Sequence, residues 1–149
     1  MTTIAWDGTT LAADRCSWSA GARRRVRKVF KVRAPDGSLY LVAFAGNGNF
    51  AMEVLRWMRG QAERPDPYRF VRSEQMDHQC ALVIDERRRV WQLGNELTYS
   101  SMNERIYAFG AGQDFAWGAL EAGASAAQAV RIAIKRSDWA GLGVDTVRF

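Results

Sequence analysis

The chain contains 149 residues, of which 48% are hydrophobic, and its 21 lysines and arginines outnumber its 16 acidic residues, for a net charge of +5. This length and composition fit one domain, residues 1–149, with a single sizeable core. No segment approaches the roughly 20 apolar residues of a membrane span, and no basic start precedes an apolar export segment. We therefore expect a cytoplasmic protein that binds no membrane.

The two cysteines favour the same compartment. Cys16 and Cys80 lie in or near apolar stretches, and neither belongs to a group with metal-ligand spacing. Each fits a small buried side chain better than a disulfide partner or a ligand. We predict neither a metal nor another cofactor.

The chain opens with strands that pair as hairpins. Asp7-Gly8 is typical of a tight turn between two strands, and Pro35 and Gly37 supply the geometry of a second turn. The predicted pairs are 2–6 with 9–14, and 28–34 with 38–45.

A helix follows from about 48 to 60, where Gly60 ends it. Its helical spacing is carried by Phe50, Val54, Trp57 and Met58. Segment 61–78 holds two of the three prolines and many charges, so we predict an irregular surface excursion there.

The second half repeats the order of strands and helices. Strands are predicted at 80–85, 89–94 and 105–110, a helix then runs to Gly123, and a strand closes the chain at 143–149. Between these last two elements, Ser125 and Gln128 form a capping box for a third helix that ends at Arg136. Antiparallel sheets covered by helices favour a layered α+β sandwich over a parallel α/β fold.

Two basic clusters allow a nucleic-acid hypothesis. Arg87 to Arg89 fit a charged hairpin turn, and the run from Arg23 to Lys28 is interleaved with apolar residues, which is typical of a strand with one buried face. A solvated face is the usual explanation of such charges, so we predict no nucleic-acid partner.

Thr2 is a candidate nucleophile. If Met1 is removed, Thr2 carries both a hydroxyl and a free α-amine that can serve as its base. A threonine after the initiator methionine also has an ordinary explanation, so its interpretation depends on the residues around it.

Several motifs follow one another along nearly the whole chain: Thr2-Thr3-Ile4-Ala5, Leu11-Ala12-Ala13-Asp14, Lys28-Val29-Phe30-Lys31-Val32, Phe44-Ala45-Gly46, Gly110-Ala111-Gly112-Gln113-Asp114-Phe115-Ala116 and Gly141-Leu142-Gly143-Val144-Asp145-Thr146-Val147. In this order they resemble the proteasome β subunits and the bacterial HslV peptidase, including compact bacterial proteasome homologues. The resemblance implies a four-layer αββα sandwich of two antiparallel sheets, the fold of the N-terminal-nucleophile hydrolases.

The resemblance also implies the roles of four catalytic residues. Thr2 would attack the peptide carbonyl, and Lys28 would favour its neutral amine by like-charge repulsion. Asp14 would hold Lys28 charged, and the backbone N–H of Gly46 would stabilise the oxyanion.

A substrate pocket follows from the same resemblance. The residues that correspond to the pocket for the side chain before the scissile bond are mostly apolar: Ser17, Val26, Phe30, Phe44, Gly48 and Met52. They imply a preference for hydrophobic or small side chains, while nearby arginines could favour acidic peptides.

Two supporting positions depart from the family pattern. Ala111 stands where many active members have a serine. The supporting aspartate corresponds to Asp138, which leaves Gly141 at the serine position; an alternative alignment puts Ser137 and Ala140 there. Loss of such supporting groups leaves slow catalysis or none.

The resemblance implies a homo-oligomeric, stacked double ring with six- or seven-fold symmetry that encloses peptide or unfolded protein substrates. No docking tail for an ATPase partner is recognisable after Phe149, so that partner stays uncertain. The sequence thus favours a self-compartmentalising threonine endopeptidase, and the alternative is a catalytically inactive ring-forming protein.

Overall fold

The computed structural model describes all 149 residues. In chain order, its strands and α-helices are β1 (Thr3–Trp6), β2 (Leu11–Asp14), β3 (Cys16–Ser19), β4 (Ala22–Arg25), β5 (Val29–Arg33), β6 (Leu39–Phe44), α1 (Gly48–Met58), β7 (Gln79–Asp85), β8 (Val90–Gly94), β9 (Tyr99–Met102), β10 (Tyr107–Gly110), α2 (Gln113–Glu121), α3 (Ala126–Arg136) and β11 (Val144–Val147). Two short 3-10 turns, Pro67–Arg69 and Ser73–Gln75, lie between α1 and β7.

The strands form two main antiparallel sheets and one ribbon. One sheet has the order β10-β1-β2-β11 and the other the order β5-β6-β7-β8-β9, while β3 and β4 pair only with each other. The predicted α+β class with antiparallel sheets is therefore confirmed.

The faces of the two sheets that meet form the central core. Alternate residues of each strand point to this interface, because side chains on a strand alternate between its two faces. The four-stranded sheet contributes Ile4, Trp6, Leu11, Ala13 and Phe109, and the five-stranded sheet contributes Val29, Leu41, Ala43, Leu82, Ile84 and Val90.

The outer face of each sheet is covered by helix. Helices α2 and α3 pack on the four-stranded sheet mainly through alanines, whose small side chains let helix and sheet approach closely. Helix α1 packs on the other sheet with Phe50, Val54 and Leu55 against Val42 and Phe44. This stacking gives the four layers helix, sheet, sheet, helix.

The local helix signals in the sequence act as predicted. The Ser125 hydroxyl accepts from the Gln128 N–H, and the Gln128 side chain accepts from the Ser125 N–H, which completes the capping box of α3. At the start of α1, the Asn47 side chain accepts from the N–H groups of Asn49 and Phe50. Each cap satisfies donors that a helix end leaves open.

Three strands differ from the sequence prediction. The arginine run forms the strand β4, which pairs with the unpredicted β3, and β9 adds an edge strand beside β8. Neither ARRR nor YSSM alternates between apolar and polar residues, because β4 lies in an exposed ribbon and β9 lies at a sheet edge.

The excursion 61–78 is less peripheral than predicted. Its Phe70 stacks on Phe50 of α1 with ring centroids 5.6 Å apart, and Val71 is buried in the same cluster. The segment therefore closes one end of the outer core. No helix in the structure is both long and apolar enough to cross a bilayer.

Candidate functional site

Thr2 is held at the start of β1 by a glycine loop. Thr3 pairs with Gly110 in the sheet, and a side chain at Gly110 would overlap the Thr2 carbonyl. A side chain at Gly112 would overlap the Thr3 hydroxyl. Both glycines are thus required by close approach, and Gly110 also has a positive φ of 96°. This packing leaves Thr2 buried, directly before the first sheet residue.

Asp14, the last residue of β2, is a fully buried hydrogen-bond hub. Its Oδ1 accepts from the Thr3 N–H at 2.9 Å and from Lys28 Nζ at 2.9 Å. Its Oδ2 accepts from the N–H groups of Cys16 at 2.9 Å and Gly141 at 3.1 Å. Four donors from separate parts of the chain satisfy a charge that would otherwise be costly to bury.

Lys28 lies between Asp14 and the peptide bond of Thr2. Its Nζ donates to the Met1 carbonyl oxygen at 2.8 Å, and that carbonyl is bonded to the Thr2 nitrogen. Burial lowers the pKa of Lys28, although the Asp14 carboxylate opposes this shift. Burial, and after it the Lys28 charge, also lowers the pKa of the Met1 amine. Burial and the Lys28 charge therefore favour the neutral form of the Met1 amine.

Gly46 lies in the exposed loop between β6 and α1. Its φ of 84° favours glycine, although a Cβ there would meet no atom within 4 Å. The neighbouring Ala45 N–H donates to Cys80 and the Asn47 side chain caps α1, which fixes the loop on both sides. The N–H of Gly46 makes no hydrogen bond within the chain, so it is available as a donor to a bound group.

One cavity of about 520 Å³ brings these residues together. Thr2, Lys28 and Gly46 line it, and so do all the residues that the resemblance assigned to the substrate pocket: Ser17, Val26, Phe30, Phe44, Gly48 and Met52. Phe30 and Phe44 meet edge to face with their centroids 6.0 Å apart, which gives the cavity an apolar wall. The roles of these residues remain predictions.

Sequence reasoning missed some members of the cavity, notably Cys16, Arg27 and Ala51. Arg27 donates from Nε to the Val29 carbonyl and places its guanidinium 5.4 Å from the Phe30 ring. The sequence did not indicate that Arg27 faces the cavity, because a run of arginines has the same pattern whichever way each side chain points.

Two predicted supporting residues lie away from the cavity. Ala111 is exposed in the glycine loop, and Asp138 is exposed with no side-chain hydrogen bond. The Ser137 hydroxyl accepts from the Trp139 N–H and makes no contact with the hub. Of this segment, Gly141 alone reaches the hub, through its backbone.

A second cavity, of about 830 Å³, lies on the outer face of the five-stranded sheet and shares no residue with the first. Trp57, Trp91, Tyr99 and Asp85 are among its lining residues. It contains no threonine, cysteine or lysine, so the smaller cavity is the candidate active site.

No protein-family model matches this chain, and no curated protein sequence is similar to it. Solved structures of similar fold include BPH of Thiobacillus denitrificans, at 18% identity and a TM-score of 0.67 over 99% of this chain and 96% of that one. Anbu, an ancestral β-subunit from Yersinia bercovieri, is 12% identical with a TM-score of 0.71 over 100% and 81%. HslV from Trypanosoma brucei is 17% identical with a TM-score of 0.60 over 99% and 98%. At these identities the likeness shows that this chain has a proteasome-like fold.

Proposed function

We propose that this protein is a threonine endopeptidase in which Thr2, freed by removal of Met1, is the N-terminal nucleophile. The contact between Lys28 Nζ and the Met1 carbonyl carries this proposal. It sets a buried cation against the carbonyl of the peptide bond whose nitrogen would become the free amine, at the edge of a cavity large enough for a side chain. That is the arrangement that an amine base requires.

The chemistry follows from these positions. The Thr2 hydroxyl attacks the substrate carbonyl and gives its proton to the Thr2 amine, while the Gly46 N–H donates to the oxyanion. Collapse breaks the C–N bond, and the amine passes the proton to the leaving nitrogen. Water then attacks the resulting ester while the amine accepts its proton. Collapse breaks the ester bond and releases the acid, and the ammonium returns that proton to the Thr2 oxygen, which regenerates Thr2.

Lys28 and Asp14 support each step without reacting. The Lys28 ammonium disfavours protonation of the nearby amine, and Asp14 keeps that ammonium in place. The apolar cavity wall of Phe30 and Phe44 favours substrates with a hydrophobic or small side chain before the scissile bond.

An open site of this kind would endanger other proteins, so we propose a closed homo-oligomeric double ring with six- or seven-fold symmetry and unfolded proteins or peptides as substrates. The proteasome-like fold supports this assembly. An ATPase partner is not part of the proposal.

A catalytically inactive ring-forming protein is the second candidate. Two observations favour it: Ala111 supplies no hydroxyl to the glycine loop that packs against Thr2, and Asp138 lies exposed outside the cavity. Catalysis depends on such groups being held within a fraction of an ångström, so their loss weighs against turnover.

The intact mass of the purified protein, before and after incubation with a peptide epoxyketone, distinguishes the two. This reagent reacts with both the hydroxyl and the free amine of an N-terminal threonine, and BPH of Thiobacillus denitrificans has been solved in complex with one, epoxomicin. We expect a mass that lacks Met1 and rises by one inhibitor, in the wild type and in Thr2→Ser but not in Thr2→Ala. A retained Met1, or a processed Thr2 that does not react, would support the inactive ring.

A further inference from the structure

The backbone at Gly141 lies against the guanidinium of Arg23. We propose that Arg23 is a positioning residue for the Asp14 hub. By holding the 140–141 segment, it keeps the Gly141 N–H in place as a donor to Asp14. This inference rests on the proposed function, because it assigns Arg23 a part in keeping Asp14 and Lys28 in order beside Thr2.

The β3–β4 ribbon directs Arg23 towards the 140–141 segment. Trp18 and Arg23 are register partners, so their side chains lie on one face of the ribbon, the face that also carries Cys16. From there Arg23 donates from Nε to Cys16 Sγ and from Nη2 to the Ala140 carbonyl, both at 3.4 Å. Its guanidinium lies 6.0 Å from the Trp18 ring. These contacts place the Arg23 guanidinium beside the 140–141 segment.

The Arg23 guanidinium lies directly against the Cα of Gly141. A Cβ at Gly141 would meet Arg23 Nη2, and outside that guanidinium the nearest atom is Cys16 Cβ at 3.9 Å. Gly141 does not have a positive φ, so the backbone conformation itself would accept another residue. An alanine at 141 would therefore displace the flexible end of the Arg23 side chain, so a substitution at either position removes the same contact.

The pair acts on the candidate site through one hydrogen bond. The Gly141 N–H donates to Asp14 Oδ2 at 3.1 Å, and the adjacent Ala140 carbonyl is the group that Arg23 holds. The other oxygen of Asp14 accepts from Lys28. A shift of the 140–141 segment would remove one donor from the carboxylate and loosen the lysine that faces Thr2.

A double-mutant cycle tests this with Arg23→Ala, Gly141→Ala and the combination, each measured for kcat, KM, the rate of epoxyketone inactivation and the melting temperature. Arg24→Ala is the matched control, since Arg24 lies on the opposite face of the ribbon and makes no side-chain hydrogen bond. We expect each single substitution to lower kcat and the inactivation rate about tenfold with KM unchanged. The double variant should be no slower than Gly141→Ala, because removal of Arg23 makes room for the Cβ.

Additive losses in the double variant, an Arg23→Ala effect equal to that of Arg24→Ala, or an effect confined to KM would each overturn the proposal. An effect on KM alone would instead indicate that Arg23 contacts substrate. A failure of the proposed function is distinguishable, because then the wild type itself does not react with the epoxyketone. The melting temperatures would still report whether the substitutions at 23 and 141 are coupled.

Discussion

Two aspartates in this molecule have similar surroundings and different consequences. Asp14 and Asp85 each end a strand, each accept four hydrogen bonds, and each pair with a cation. The donors to Asp85 are the N–H groups of Arg87 and Arg89 and the side chains of Arg89 and Trp91, all within six residues of it. This hub closes the hairpin between β7 and β8.

Three of the four donors to Asp14 come instead from distant segments of the chain, at Thr3, Lys28 and Gly141, and one of them is a buried lysine beside a cavity. The hub at Asp85 satisfies its own turn, while the hub at Asp14 ties the start of β1, Lys28 and the 140–141 segment to the end of β2. The comparison indicates that the distance in sequence between a buried carboxylate and its donors, more than the number of its hydrogen bonds, marks a candidate site.

Removing the two charges should separate the hubs most clearly. Asp14→Asn is expected to lower the free energy of unfolding by about 3–5 kcal/mol, because Lys28 stays buried without its carboxylate. Asp85→Asn should lower it by about 1–2 kcal/mol, since its partner Arg89 is more than half exposed. Urea unfolding measures both, and equal losses would break the comparison.

Gly110 and Gly37 give a second, smaller contrast between the regions of the Asp14 and Asp85 hubs. A methyl group at Gly110 would overlap the Thr2 backbone, so Gly110→Ala should cost about 2–4 kcal/mol and abolish the epoxyketone reaction. Gly37 has a similar positive φ near the Asp85 end but open space around it, so Gly37→Ala should cost only about 1 kcal/mol. Thermal unfolding with intact-mass labelling tests both; a labelled Gly110→Ala protein would contradict the tight packing of Thr2.

The sequence predicted most of the elements and the candidate site residues but not the hydrogen bonds that join distant segments. Spacing and turn residues predicted most strands and all three helices, and the resemblance selected Thr2, Asp14, Lys28 and Gly46, which the structure brings to one place. These residues converge because hairpins return the chain to the same sheet ends.

The parts that could not be predicted depend on where charged side chains point. Strand β4 has no hydrophobic alternation, and the alternation of β3 spans only four residues. Contacts such as Arg23 over Gly141 join residues far apart in sequence. No local pattern encodes such a contact, because the pairing exists only once both segments are folded.

The pH dependence of the candidate reaction should report the Lys28 side of the Asp14 hub. Burial and the Lys28 charge lower the pKa of the Met1 amine. We expect the same two causes to act on the Thr2 amine once Met1 is removed, and the neutral amine is the base. Epoxyketone inactivation should therefore rise with pH, with a midpoint below the ordinary α-amine range of about 7.7 to 8.0. The inactivation rate at each pH is measured from the intact mass of samples quenched at timed intervals. A midpoint above that range would show that the Lys28 charge does not lower the pKa of the amine.

The acid stability of the protein should report the Asp85 hub, with the smallest effect of the four. Burial raises the pKa of Asp85, but the hydrogen bonds from Arg89 and Trp91 and the Arg89 charge outweigh it, so the pKa lies below its usual value. A lowered carboxyl pKa contributes stability above the ordinary pKa, and this contribution is lost as the pH falls through the folded-state value. Asp85→Asn should therefore be less sensitive to acid than the wild type in urea unfolding between about pH 5 and pH 2. The exposed Asp138→Asn, which loses no hydrogen bond, is its control; if both variants keep the wild-type acid dependence, Asp85 is not the group that the hairpin protects.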